Sequence, residues 1–136
     1  MSRKLFLNLA VHDLDKSTAF FAELGFSFEP RFTNRDATCV IVNEHAYVLL
    51  LAEKRFKDFT KKALVDSTAS AEAIIALSVD SRQHVDDMVK KALAAGATPA
   101  NDPQDHGFMY GWRFQDLDGH LWETFWMDPN HSARPA

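Results

Sequence analysis

The feature that most constrains this chain is an order of elements that occurs twice. A strand, a helix closed by a glycine and three further strands can be read from Lys4 to Leu51, and the same series returns from Ala73 to Met127. In the first series, alternation over Lys4 to Val11 puts Leu5, Leu7, Leu9 and Val11 on one face and Phe6, Asn8 and Ala10 on the other. Asp13 is placed to cap a helix whose apolar side is Leu14, Phe20, Phe21 and Leu24, and Gly25 can end it in a left-handed conformation. Phe26 to Thr33 reads as extended, with Pro30 marking an edge because proline has no N–H for a ladder. Ala37 to Val42 and Tyr47 to Leu51 then form a hairpin across Asn43-Glu44-His45.

The second series opens with Ala73 to Val79. Its helix is capped by Ser81, carries Val85, Met88, Val89, Ala92 and Leu93 on one face at the helical period, and closes at Gly96. Ala97 to Asp102 is weakly extended, and Pro103 to His106 leads into the last hairpin. The segment Leu9-Ala10-Val11-His12-Asp13 before the first helix echoes Leu77-Ser78-Val79-Asp80-Ser81 before the second. A repeat of this kind predicts an α+β fold, two βαβββ modules forming a curled mixed sheet around a central cavity with the helices outside. The expected layout is one domain over residues 1–136, with modules at 4–52 and 73–128, a connector at 53–72 and a flexible tail at 129–136. Phe56 and Phe59 are expected to anchor the connector to the body.

The balance of residues bounds the function. With 25% charged residues, 46% apolar residues and a net charge of −4, nothing favours nucleic acid or an anionic membrane as partner. A single cysteine, Cys39, excludes an intrachain disulfide and fits a reducing cytoplasm. The apolar run after Arg3 and Lys4 is broken by Asn8 and stops at His12-Asp13, too short for a signal peptide or a membrane span.

Chemistry concentrates at Asp116-Leu117-Asp118-Gly119-His120-Leu121-Trp122-Glu123. Aspartates bond to nearby backbone N–H groups and glycine accepts positive φ, so a tight reversal is expected between Met109–Gln115 and His120–Met127. Alternation then puts Leu121, Glu123 and Phe125 on one face and Trp122, Thr124 and Trp126 on the other. A carboxylate among hydrophobes is costly unless paired, and the plain reading is a strand glutamate reaching water or an arginine. Whether Arg113 or Trp112 faces Glu123 depends on the hairpin register, which a bulge at Gly119 would shift by one residue.

Taken together, Val11-x-Asp13-Leu14-x-x-Ser17, Leu24-Gly25-Phe26 and the Asp116 to Glu123 run resemble the vicinal oxygen chelate superfamily. That superfamily includes glyoxalase I, extradiol dioxygenases, fosfomycin-resistance transferases and bleomycin-resistance proteins. The last run matches the family's Asp-Pro-Asp-Gly-x-x-x-Glu turn except at Leu117, where proline is usual. The resemblance implies a glyoxalase/bleomycin-resistance/dioxygenase fold, homodimers with sites often built across the interface, and, in metal-dependent members, ligands on the first, fourth, fifth and last strands. Here those positions fall on Phe6, near Leu49, on Ile74 and on Glu123. Three hydrocarbons and one carboxylate are a poor site for Zn, Ni, Fe or Mn, so no bound metal is expected, Glu123 being the one ligand if any is held. The histidines sit at turns, in a helix's first turn, in a loop or in the tail, and His106 alone is placed to reach a cavity rim.

The lining expected from alternation is Phe6, Asn8 and Ala10; Ile74, Ala76 and Ser78; and Leu121, Glu123 and Phe125, with Tyr47, Tyr110, Trp112 and Arg113 as further candidates. An apolar lining with a few polar points suits a small organic ligand. The leading expectation is a cytoplasmic, metal-free binder of such a molecule, either sequestering it or acting on it with Glu123 as base. The alternatives are a metal-dependent lyase or isomerase resembling glyoxalase I (lactoylglutathione lyase), and a dimerising module with no chemistry.

Overall fold

The computed structural model describes residues 3–131, and the chain divides into two compact units, Met1–Asp66 and Ser67–Ala136. The division falls inside the predicted connector. Each unit builds its own mixed sheet, with one parallel strand pair and the rest antiparallel.

In the first unit, β1 (Leu5–Val11) leads into α1 (Leu14–Glu23), followed by β2 (Ser27–Phe28), β3 (Ala37–Asn43) and β4 (Ala46–Ala52). Strand order is β1-β4-β3-β2, with β1 parallel to β4. The Asp13 carboxylate accepts from the Lys16 N–H at 3.1 Å, so the cap read from the sequence is made. Helix α1 packs on β3 and β4 and buries Phe20, Phe21 and Leu24 with Val11, Val40, Val48 and Leu50. Each such side chain contributes about 1.5–3 kcal/mol when fully withdrawn from water.

Two expectations for this unit are corrected, the length of the extended run after α1 and the role of Phe59. The extended run to Thr33 stops at Phe28, because Glu29 caps a 3₁₀ turn over Pro30–Phe32, accepting from the Arg31 N–H at 3.3 Å and from its guanidinium at 2.6 Å. After β4 the chain makes one helical turn, α2 (Glu53–Phe56), and a 3₁₀ turn over Lys57–Phe59. Phe59 does not anchor this segment, since it is 64% exposed under the Arg55 guanidinium, which lies 4.6 Å from the ring centroid.

In the second unit, β5 (Ile74–Ser78) precedes α3 (Arg82–Ala94), then β6 (Thr98–Pro99), β7 (Gln104–Asp105), β8 (Met109–Gln115) and β9 (Leu121–Met127). Strand order is β5-β9-β8-β6, with β7 also on β8 and β5 parallel to β9. Ser81 caps α3 by accepting from the His84 N–H at 3.0 Å. Helix α3 packs on β8 and β9, burying Val85, Val89 and Ala92 with Phe114 and Trp122. Strand β7 was absent from the sequence reading, since two residues are too few to carry a period.

Of the tail expected to fray, residues 132–136 lie outside the described residues. The part before them is tied down: the His131 N–H donates to the Asp128 carbonyl at 3.0 Å, and its ring stacks on Phe108 with centroids 4.1 Å apart. Among the described residues no helix is long and apolar enough to cross a membrane.

Candidate functional site

The site is set by the turn between β8 and β9. Asp116 is buried, and its Oδ1 accepts from the backbone N–H groups of Asp118 at 2.9 Å and His120 at 3.0 Å. Its Oδ2 accepts from the Trp122 indole at 2.9 Å. Burial pushes the Asp116 carboxyl above its ordinary value, against the pull of His120 and these donors. Gly119 has φ +83°, and a Cβ on it would lie 2.5 Å from the Ser67 carbonyl, so glycine is required for both conformation and space. The Ser67 hydroxyl closes the turn by donating to the Asp118 carbonyl at 2.5 Å.

This turn fixes the register without a bulge. Gln115 pairs with Leu121, Arg113 with Glu123 and Gly111 with Phe125. On the other side of β9, Ile74 pairs with Leu121, Ala76 with Glu123 and Ser78 with Phe125. The sheet face away from α3 is thus a grid with Glu123 at its centre, flanked by Arg113 on β8 and Ala76 on β5. Leu121, Phe125, Ile74, Ser78 and Arg113, all candidates from the sequence, are brought together on it.

Glu123 is not alone there. Arg113 Nε donates to Glu123 Oε1 at 2.7 Å, with side-chain exposures of 33% and 18%. The Arg113 backbone N–H donates to Asn101 Oδ1 at 2.9 Å, in the gap between β6 and β7. Arg113 is therefore held at both ends, while no described residue bonds its Nη1 or Nη2. Gly111 was missed by sequence reasoning. A Cβ there would stand 3.5 Å from Phe125 Cβ and 3.9 Å from Glu123 Cδ, so the glycine leaves a gap beside the ion pair. A glycine inside an aromatic-rich strand was the available signal.

Two candidates are displaced. Tyr110 and Trp112 sit opposite Trp126 and Thr124, on the α3 side of the sheet, because the bulge that would have turned Trp112 inward does not form. Tyr110 donates to Asp86 of α3 at 2.6 Å, which together with burial pushes its phenol up to about 12. The Trp112 indole donates to the Asn101 carbonyl at 3.1 Å. His106 is exposed at the β7–β8 turn, 6.5 Å from the Phe108 ring between centroids.

In the first unit, Phe6, Asn8 and Ala10 pair with Tyr47, Leu49 and Leu51 on the face away from α1. Phe6 stacks on Tyr47 at 4.9 Å and meets Phe32 edge-on at 5.7 Å. Asn8 is exposed, and its side chain donates to the Phe6 carbonyl at 3.1 Å.

The positions where the resemblance places metal ligands carry few donors. Phe6, Leu49 and Ile74 offer no lone pair, and Glu123 Oε1 is engaged by Arg113. Among the described residues no group of three His, Cys, Asp or Glu could hold a metal ion.

Comparison with known proteins agrees with the fold. Residues 3–43 match the family model described as bleomycin resistance protein-like N-terminal. A hypothetical protein from S. aureus is 30% identical, with a TM-score of 0.78 over 92% of this chain and 94% of that one. A glyoxalase-related enzyme from Fulvimarina pelagi shares the fold at 20% identity and TM-score 0.78, over 93% of this chain and 88% of that one. A glyoxalase/bleomycin resistance protein/dioxygenase family enzyme from Burkholderia phytofirmans does so at 17% and 0.74, over 90% and 96%. No curated protein matches the chain.

Proposed function

Because this chain belongs to the vicinal oxygen chelate superfamily, the glyoxalase/bleomycin-resistance/dioxygenase proteins, we propose that it is a metal-free member that binds a small organic molecule on the sheet face around Glu123. The observation that carries this reading is the Arg113–Glu123 pair at 2.7 Å. The family's acid is kept but its free charge is neutralised by an arginine, on a face whose other side chains are mostly apolar. A small apolar face with one preorganised polar pair is suited to orienting an organic ligand. Glu123 on this reading positions Arg113, and the protein sequesters its ligand as a homodimer.

Elemental analysis of protein purified without chelator, followed by a thermal-shift screen of divalent metals and small aromatic compounds, tests the reading. Selective binding to the native state raises its stability. The expected result is a substoichiometric metal content, no shift with Zn, Ni, Fe or Mn, and a shift with organic compounds that Arg113→Gln abolishes. A stoichiometric metal lost in Glu123→Gln would overturn it in favour of a glyoxalase-like lyase. Light scattering tests the dimer.

A further inference from the structure

The face around Glu123 carries information about the charge of what it binds. Arg113 spends one of its five N–H groups on Glu123 and is only one-third exposed, and no described residue bonds its two Nη atoms. Those atoms form the planar, two-pronged edge of the guanidinium. A carboxylate meets such an edge with two parallel charge-assisted bonds. Space lies beside it, because three of the surrounding grid positions are Gly111, Ala76 and Ser78. Phe125 and Leu121 stand between them as the apolar walls.

We infer that this face selects a small organic acid, its carboxylate on the Nη edge of Arg113 and its apolar body over the small residues against Phe125. The inference rests on the small-molecule reading above and adds the ligand's charge to it. Glu123 plays two parts. It holds Nε so that the Nη edge faces the ligand, and its own negative charge opposes the incoming anion, setting a moderate affinity.

The test is a titration of the labelled full-length chain followed by amide NMR shifts, with phenylacetate and its neutral isostere phenylacetamide as probes. The expected result is that phenylacetate moves the amides of Arg113, Glu123 and Phe125 and binds at least about tenfold more tightly than the amide, a difference of about 1.4 kcal/mol. In Glu123→Gln, which removes the opposing charge but can still accept from Nε, affinity for phenylacetate rises a few-fold. In Arg113→Gln, the preference for acid over amide disappears; Arg113→Lys, with charge but no fork, keeps only part of it. Equal binding of the two probes to the wild-type chain overturns the inference and leaves the small-molecule reading standing. Acid-induced shifts confined to other surface amides also overturn it. No shift of this face by either probe at millimolar concentration overturns both.

Discussion

The two units follow the same grammar and spend it differently. In the first, the sheet face away from the helix centres on an aromatic stack, Phe6 on Tyr47; in the second, the matching face centres on the ion pair of Arg113 and Glu123. The hairpins differ in the same sense. The β3–β4 turn has no buried acid at its centre: the His45 N–H donates to the exposed Asn43 Oδ1 at 2.7 Å and the Tyr47 hydroxyl to the Glu44 carbonyl at 3.1 Å, and the ladder shifts register between Ile41 and Asn43. The β8–β9 turn is built on a buried aspartate with three donors, and its ladder runs without a slip from Met109 to Gln115. A slip in the first unit would exchange one apolar side chain for another. In the second it would turn Arg113 away and present Trp112, so register there is chemically consequential.

The largest effect expected from this contrast is at Asp116. Asp116→Ala strands two backbone N–H groups and an indole in a buried turn and should cost about 3 kcal/mol in urea unfolding, against about 0.5 kcal/mol for Asn43→Ala. Equal costs would break the comparison. The same residue gives a pH signature. Burial raises its folded pKa, so the folded state holds the proton more firmly than the unfolded one. Its stabilising contribution is complete below the unfolded value of about 3.9 and is lost as pH rises through the folded value. Asp116→Asn should remove that part of the pH slope, whatever it does to the midpoint.

Next in size is the ion pair. Arg113→Leu leaves a mostly buried carboxylate without its partner and should cost about 2 kcal/mol, while adding Glu123→Leu should restore at least half of that. Additive losses in this cycle would mean the two side chains act independently. Smaller still is a difference between two buried threonines on the helix-facing sides. Thr38 is satisfied by the Thr18 hydroxyl at 2.8 Å, whereas Thr124 Oγ1 has no partner among the described residues. Thr124→Val should therefore stabilise by about 1 kcal/mol and Thr38→Val should destabilise by a similar amount. Calorimetry on the pair decides it. The smallest effect on stability is expected at Gly111, where an added Cβ meets only ordinary contacts at 3.5 Å or more. Gly111→Ala should change stability by less than about 0.5 kcal/mol yet weaken phenylacetate binding, because it fills the gap beside Glu123.

Local rules made much of this legible. Asp13 and Ser81 cap their helices as their side chains require, and the Asp116 to Gly119 run makes its turn. The period-two pattern placed Glu123 with Leu121 and Phe125. The same rules could not see that Glu29 folds back on Arg31 and cuts a strand short, because that ion pair competes with sheet pairing only once both are in place. Nor could they place Tyr110, which faces Asp86 across the helix–sheet packing.

What the sequence by itself determined was the repeated unit, the faces of each strand and the identity of the acid, because these depend on covalent neighbours and on periods of two and 3.6 residues. What only the tertiary structure decided was which partner that acid meets. A strand's own pattern says which side each residue takes but not its offset from the neighbouring strand. That offset was set by a buried aspartate, the indole of Trp122 and the Ser67 hydroxyl, which reaches the Asp118 carbonyl across 51 positions of chain.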